Sequence, residues 1–154
     1  MAEEQQQPSF QIEKIYVKDV SLEIPGAPQV FLEAQGPQLE IQVRNESAQF
    51  SDGLFEVVVT VTVTAKAADR TLFLAEVAQA GIFSVRGVPQ ADIEPLLAVA
   101  CPTILYPYAR ETVSDLITRG GFPPVLLAPV SFEALYAQRK QQLAQAGPRI
   151  ELAS

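Results

Sequence analysis

The strongest constraint on the fold is a segment of alternating side chains, FEVVVTVTVT, at residues 55–64. Phe55 and the valines at every second position after it point to one side of an extended chain, and the other side carries Glu56, Val58 and threonines. A period of two residues is that of a β-strand, and β-branched side chains suit its pleated surface. The chain therefore needs a sheet, and the apolar face of that sheet needs a cover.

Three further segments predict strands beside this one. In residues 10–24 the apolar side chains change parity, which predicts either a β-bulge or a shift in facing near Lys14. Residues 39–44 alternate regularly, and residues 71–83 carry apolar side chains on both faces. Between the first two strands, the Pro- and Gly-rich segment 25–37 predicts a loop with several large apolar residues that need a partner.

The period becomes helical from Asp92 onwards. Asp92 is a candidate N-cap, and Pro95 falls in the first turn, where a missing N–H does no harm. Pro102 and Pro107 each remove an i→i−4 hydrogen bond, which predicts that they bend or split this helix. Arg119 and the two glycines after it predict the end of the helical segment.

Ser131 is the predicted N-cap of a last helix. Strands followed by helices indicate an α+β fold, in which helices pack on one face of an antiparallel sheet. The length of 154 residues fits one domain, which we place at residues 10–146. Residues 1–9 are predicted to be a flexible N-terminal tail, and residues 147–154 a C-terminal tail.

The charge balance restricts the partners. Eleven Lys and Arg stand against eighteen Asp and Glu, a net charge of −7. Nucleic acids and anionic membranes are therefore unfavourable partners, because both need basic patches, and basic protein surfaces are favoured. Hydrophobic residues make up 48% of the chain, which predicts apolar surface left for either an oligomer interface or a binding groove. The alternative is a monomeric domain that buries these residues.

The start of the sequence, MAEEQQQPSF, lacks the pattern of a signal peptide. No run reaches the roughly 18 apolar residues of a membrane span, so we expect no direct membrane insertion. A single cysteine excludes an intrachain disulfide, so nothing suggests an oxidising compartment. These observations predict a cytoplasmic protein.

The residues that most enzymes need are missing. Without histidine, neither a Ser-His-Asp triad nor a His metal site can form, and one cysteine cannot build a zinc or iron–sulfur centre. The usual glycine-rich phosphate loops are absent as well. Cys101 has no histidine to activate it and is interpreted as a packing residue. We therefore predict a protein that is not an enzyme and uses neither a cofactor nor a metal.

Several strings resemble the SecB family of bacterial protein-export chaperones. They are FQIEKIYVKDVSLEIPGAPQVF (10–31), FEVVVTVTVTA (55–65), LAEVAQAGIFSV (74–85) and CPTILYPYARETVSDLITRGGFPPVLLAPVSFEALY (101–136). The resemblance covers about residues 10–143. It implies a four-stranded antiparallel sheet with helices on one face, assembled as a homotetramer that is a dimer of dimers.

The resemblance also implies a function. SecB is an ATP-independent holdase that keeps precursor proteins unfolded in the cytoplasm and delivers them to SecA, the motor of the Sec translocon. A second reading is a SecB-like chaperone that guards another client, such as an antitoxin. The family commonly has glycine where this chain has Ala80, a replacement that fits only a negative φ.

The resemblance also implies two sets of binding residues. The peptide groove of the family, formed by its helices and the neighbouring loop, corresponds here to Phe31, Ile104, Tyr106, Tyr108, Phe122, Phe132, Leu135 and Tyr136. Each of these is equally compatible with a place in the core.

The SecA contact of the family corresponds to Asp19, Glu23, Leu74 and Glu76. Alternation alone places Asp19 and Glu23 on one polar strand face. Plain solubility is the alternative reason for acidic residues there.

Overall fold

The computed structural model describes residues 7–33 and 36–145. Its strands are β1 (Ser9–Glu23), β2 (Gln38–Ser51), β3 (Leu54–Ala67) and β4 (Arg70–Arg86), which form one antiparallel sheet in the order β1-β4-β3-β2. The helices that follow are α1 (Gln90–Pro95), α2 (Cys101–Arg119) and α3 (Phe132–Gln145). The predicted α+β fold with a four-stranded antiparallel sheet is confirmed.

The core lies between α2 and the two central strands. One face of β3 and β4, which includes Val59, Val61 and Val77, is fully buried, as are Leu105 and Ile117 on the facing side of α2. Burying a Val or Leu side chain contributes about 1.5–3 kcal/mol each. The opposite face of the sheet is not covered by any described helix, and we call it the open face.

Two bulges set the facing of β1. The register shifts between Ile12 and Lys14, which confirms the predicted bulge, and shifts again between Val17 and Asp19, where no bulge was predicted. Each shift inserts an extra residue and changes which side chains share a face. After the second bulge, Asp19 lies opposite Ala78 of β4, so the remaining acidic residues of β1 point to the open face.

The helical segment starts earlier than predicted. α1 begins at Gln90 after Pro89, and no side chain caps it, so the assignment of Asp92 as N-cap is wrong. Pro95 is the last residue of α1 and not part of its first turn. Pro89 is the N-cap residue instead, and its extended backbone (φ −55°, ψ 142°) directly precedes the first turn of α1.

The prolines do not split the second helix. α2 runs through Pro107, and the irregularity lies before Pro102, where Leu96–Ala100 form a π-helical turn. Pro102 has no N–H to offer to the carbonyl of Ala98, and Nδ2 of Asn45 in β2 donates to that carbonyl at 3.4 Å instead. The cost of the proline is thus offset by a contact that joins the helix to the sheet.

The later helix boundaries agree with the sequence. Gly120 follows the end of α2, and Gly121 has a φ of +86°, a conformation that favours glycine. Ser131 caps α3, since its Oγ accepts a hydrogen bond from the N–H of Ala134 at 3.1 Å. The predicted tails fall mainly on residues 1–6 and 147–154, which lie outside the described residues, but Ser9 belongs to β1 and not to a tail.

Candidate functional site

An aromatic groove opens on the helix side of the sheet. The ring of Phe122 lies between those of Phe31 and Phe73, with centroids 5.3 and 4.8 Å apart. The groove has a volume of about 470 Å³ and is also lined by Leu39 and Pro123. Phe31 is 49% exposed, so a ligand can reach its ring.

Local structure places these rings. The loop after β1 forms a short 3-10 helix (Gln29–Leu32), which buries Val30 in the core and leaves Phe31 pointing outwards. The left-handed turn at Gly121 then directs Phe122 towards Phe31, and a Cβ atom at position 121 would lie only 3.1 Å from the Phe31 ring. Two of the predicted groove residues are therefore brought together.

An exposed apolar strip on β2 continues this groove. Leu39 pairs with Ala65 and Ile41 with Val63, so both face the helix side, yet the helices leave them exposed. The sequence analysis did not assign these residues to the site. Their shared parity was the available signal, but parity does not show how far the helices extend across the sheet.

Tyr106 and Phe132 are buried. Their side chains are only 6% and 2% exposed, and their rings make an edge contact with centroids 5.8 Å apart. The Tyr106 hydroxyl donates to the carbonyl of Ala128 at 2.5 Å, and burial raises the pKa of this tyrosine. The extended segment before α3 covers Tyr106, so in the single chain these two residues pack in the core, and their part in peptide binding stays a prediction.

The other predicted groove residues differ in how far they are exposed. Ile104 packs against the core, whereas Tyr108 and Leu135 are exposed. Tyr136 lines a second groove of about 510 Å³ between β2, the π-helical turn and α3. Its hydroxyl is buried and finds no hydrogen-bond partner among the described residues. Of the eight predicted residues, Phe31 and Phe122 therefore line the aromatic groove, and Tyr136 lines the second groove.

The four predicted SecA-contact residues lie close together on the open face. Glu23 is opposite Leu74, and Glu76 is opposite Ser21, which lies between Asp19 and Glu23. We call Asp19, Glu23 and Glu76 the acidic cluster. Thr62 donates to the Glu76 carboxylate at 3.0 Å, and within the described part of the chain no Lys or Arg pairs with any of the three. The cluster thus presents uncompensated negative charge.

Cys101 is fully buried at the start of α2. Burial raises the pKa of its thiol to about 12, so the reactive thiolate is not available near neutral pH. Among the residues that the structure describes, no group of three or more His, Cys, Asp or Glu side chains is placed to hold a metal ion. No helix in that same part of the chain is long and apolar enough to cross a membrane.

Comparisons with known proteins agree on one family. The family model described as preprotein translocase subunit SecB matches residues 3–143. "Protein-export protein SecB" of Methylobacillus flagellatus is 63% identical over 151 residues, which cover 95% of this chain and 96% of the relative. The protein of the same name from Chromobacterium violaceum is 61% identical over 148 residues, with coverage of 96% and 99%.

A solved structure shares the fold. It is a SecB-like chaperone of Mycobacterium tuberculosis in complex with a peptide from an antitoxin. The TM-score is 0.65 at 22% sequence identity, and the match covers 79% of this chain and 90% of that chain.

Proposed function

This chain belongs to the SecB family, and we propose from this premise that it is an ATP-independent holdase for exported precursor proteins in the cytoplasm. The observation that carries the proposal is the preformed aromatic groove at Phe31 and Phe122, which continues into the exposed strip at Leu39 and Ile41. A holdase binds the unfolded state through apolar segments, so it needs a long tolerant surface and no catalytic centre.

The charge of the chain supports capture of basic clients. With a net charge of −7, the protein attracts positively charged segments over long range and speeds their association. Apolar contacts in the groove then hold the bound segment. No step of this function consumes a nucleotide or needs a metal.

We assign the acidic cluster on the open face to the second partner, SecA. Its carboxylates lie on the side of the sheet opposite the groove, so the two partners do not compete for the same surface. A basic surface of SecA would complement this cluster. The geometry thus permits a client-loaded chaperone to bind the motor.

We propose a dimer of dimers as the assembly. β1 is a fifteen-residue edge strand, and Ile12, Val17 and Val20 on it are exposed. An uncovered edge of this kind attracts another strand, and pairing with a second copy would cover it. A solution mass near 16.7 kDa, that of one chain, would exclude this assembly.

An aggregation assay tests the holdase. An unfolded precursor that carries its signal sequence is diluted from denaturant with an excess of this protein and without ATP, and light scattering is followed. We expect suppressed scattering. If the precursor aggregates as fast as it does alone, the proposed function is wrong.

Guarding of an antitoxin remains the weaker candidate. The antitoxin peptide belongs to a structure with 22% identity to this chain, whereas the relatives at 63% and 61% identity carry the export name. Adding an antitoxin in place of the precursor to the same assay separates the two client classes.

A further inference from the structure

The open face has a second region, at the other end from the acidic cluster. The bulge of β2 between Gln49 and Ser51 inserts Phe50, which is 55% exposed. Phe50 lines a shallow pocket of about 190 Å³ together with Tyr16, Ala48, Glu56 and Ile82. A pocket of this size has room for one large apolar side chain. We call Phe50, Ala48, Ile82 and Tyr16 the apolar end.

The one carboxylate that lines this pocket is paired with a lysine. Glu56 accepts hydrogen bonds from the Tyr16 hydroxyl and from Nζ of Lys18, the latter at 2.7 Å. The Lys18 and Tyr16 hydrogen bonds lower the pKa of Glu56, which therefore stays ionised and paired. Lys18 reaches it because the second bulge of β1 leaves this residue out of the pairing register. The apolar end therefore differs from the acidic cluster in charge as well as in polarity.

Both regions lie along β4. Glu76 in the acidic cluster and Ile82 in the apolar end are six residues apart on the same face, or about 20 Å at the rise of a β-strand. An extended segment of about six residues, or a helix of about thirteen, would span this distance.

We infer that the acidic cluster and the apolar end form one docking surface for a partner segment that carries basic residues and, about 20 Å away, one large apolar side chain. The inference rests on the proposed function, in which SecA is the partner of this face. Complementary charge places the basic residues on Asp19, Glu23 and Glu76, and the pocket beside Phe50 receives the apolar side chain. Basic residues alone would leave that pocket unused.

A second copy of this chain does not fit the surface. A second copy carries the same acidic cluster and the same net charge of −7, and this like charge opposes association of two open faces. The client does not occupy this surface either, because the groove proposed to bind it opens on the helix side of the sheet. The occupant is therefore a basic and apolar segment of another protein.

Calorimetric titration with purified SecA tests the inference. Phe50→Ser removes the exposed ring and is expected to weaken binding about tenfold, with an unchanged salt dependence because no charge is lost. Phe50→Leu keeps an apolar side chain and should retain most of the affinity. Leu143→Ser is the matched control, since Leu143 on α3 is 67% exposed and lies away from this face.

A second variant tests the same pocket in case Phe50→Ser does not fold. Ala48→Gln places an uncharged amide at an exposed position of the edge strand beside the pocket, and it should weaken SecA binding as well. Thermal unfolding of each variant shows whether the fold is kept.

The outcomes separate the inference from the function on which it rests. Weak binding by Phe50→Ser and Ala48→Gln with normal binding by Leu143→Ser supports the docking surface. Normal binding by the first two variants, with loss in Asp19→Ala plus Glu23→Ala, overturns the inference and leaves the proposed SecA face intact. If SecA does not bind the wild-type protein, the proposed partner and the inference are both wrong.

Discussion

Gly81 in β4 lies so close to Leu105 in α2 that an added Cβ atom would be 2.9 Å from Cδ2 of Leu105. The same atom would be 2.8 Å from the Phe83 ring. Real Cβ atoms do not approach side chains to this distance, so the helix rests on the sheet at a point where only glycine fits.

Gly81→Ala is therefore expected to lower the free energy of unfolding by about 1–3 kcal/mol, because the extra methyl overpacks a buried contact. Gly36→Ala is the control, since a Cβ there meets nothing within 4 Å. Urea unfolding at one fixed protein concentration measures both changes. Equal stability of the two variants would show that α2 moves away from the sheet at little cost.

Asp19→Ala combined with Glu23→Ala should weaken SecA binding about tenfold at low salt and flatten its salt dependence, because two uncompensated carboxylates are lost. Capture of precursors should be unchanged. Glu94→Ala with Glu133→Ala gives the same change in net charge at exposed positions of α1 and α3 and serves as the control. If precursor capture and SecA binding fall together, the two faces do not have separate roles.

Phe31→Ala should weaken the holdase and preserve the fold, because the ring is half exposed and contacts Phe122 at the groove. We expect several-fold weaker suppression of precursor aggregation, in line with the loss of one aromatic contact surface. Leu143→Ala removes an exposed apolar side chain outside the groove and provides the comparison. A loss as large in Leu143→Ala would show that capture depends on exposed apolar area in general.

The thiol of Cys101 should resist labelling by Ellman's reagent at pH 8 in the folded protein and react fully after unfolding in guanidinium. Burial holds its pKa at about 12 against the ordinary 9.0, so the folded state keeps a proton that the unfolded state loses. The free energy of unfolding should therefore fall as the pH rises from about 9 towards 12.

Cys101→Ala should reduce this alkaline loss of stability. Part of the loss should remain in that variant, because burial and Glu56 raise the pKa of Tyr16 to about 12 from 10.0. Rapid labelling of the native protein at pH 8 would contradict the burial of the thiol.

The regular strands could be predicted from sequence because alternation is a local property. The β3 pattern from Phe55 to Thr64 identified the core face. Ala80 has the negative φ that an alanine needs at this position, because Ala68 is the one non-glycine residue with positive φ in the described chain. The Lys18 and Phe50 bulges were not predicted. They depend on how two strands pair, and the polar run after Arg44 gave no alternation from which to extend β2 to Ser51.

The candidate site could be predicted only in part for the same reason. Asp19 and Glu23 were correctly placed on one face. They are four residues apart in a part of β1 without a bulge, and side chains at every second position of a strand share a face. The burial of Tyr106 could not be predicted, because it depends on a segment more than twenty residues further along the chain. Long-range packing of this kind leaves no periodic signal in the sequence.

Helices cover only one face of the sheet, and this determines how mutations along β4 should act. From Phe73 to Gln79 successive side chains of β4 alternate between the packed face and the open face that carries Glu76. A saturation scan of these codons should therefore give phenotypes that alternate from one codon to the next. Substitutions at Phe73, Ala75 and Val77 should reduce the yield of folded protein. Those at Leu74 and Glu76 should leave a folded protein that no longer delivers precursors to SecA.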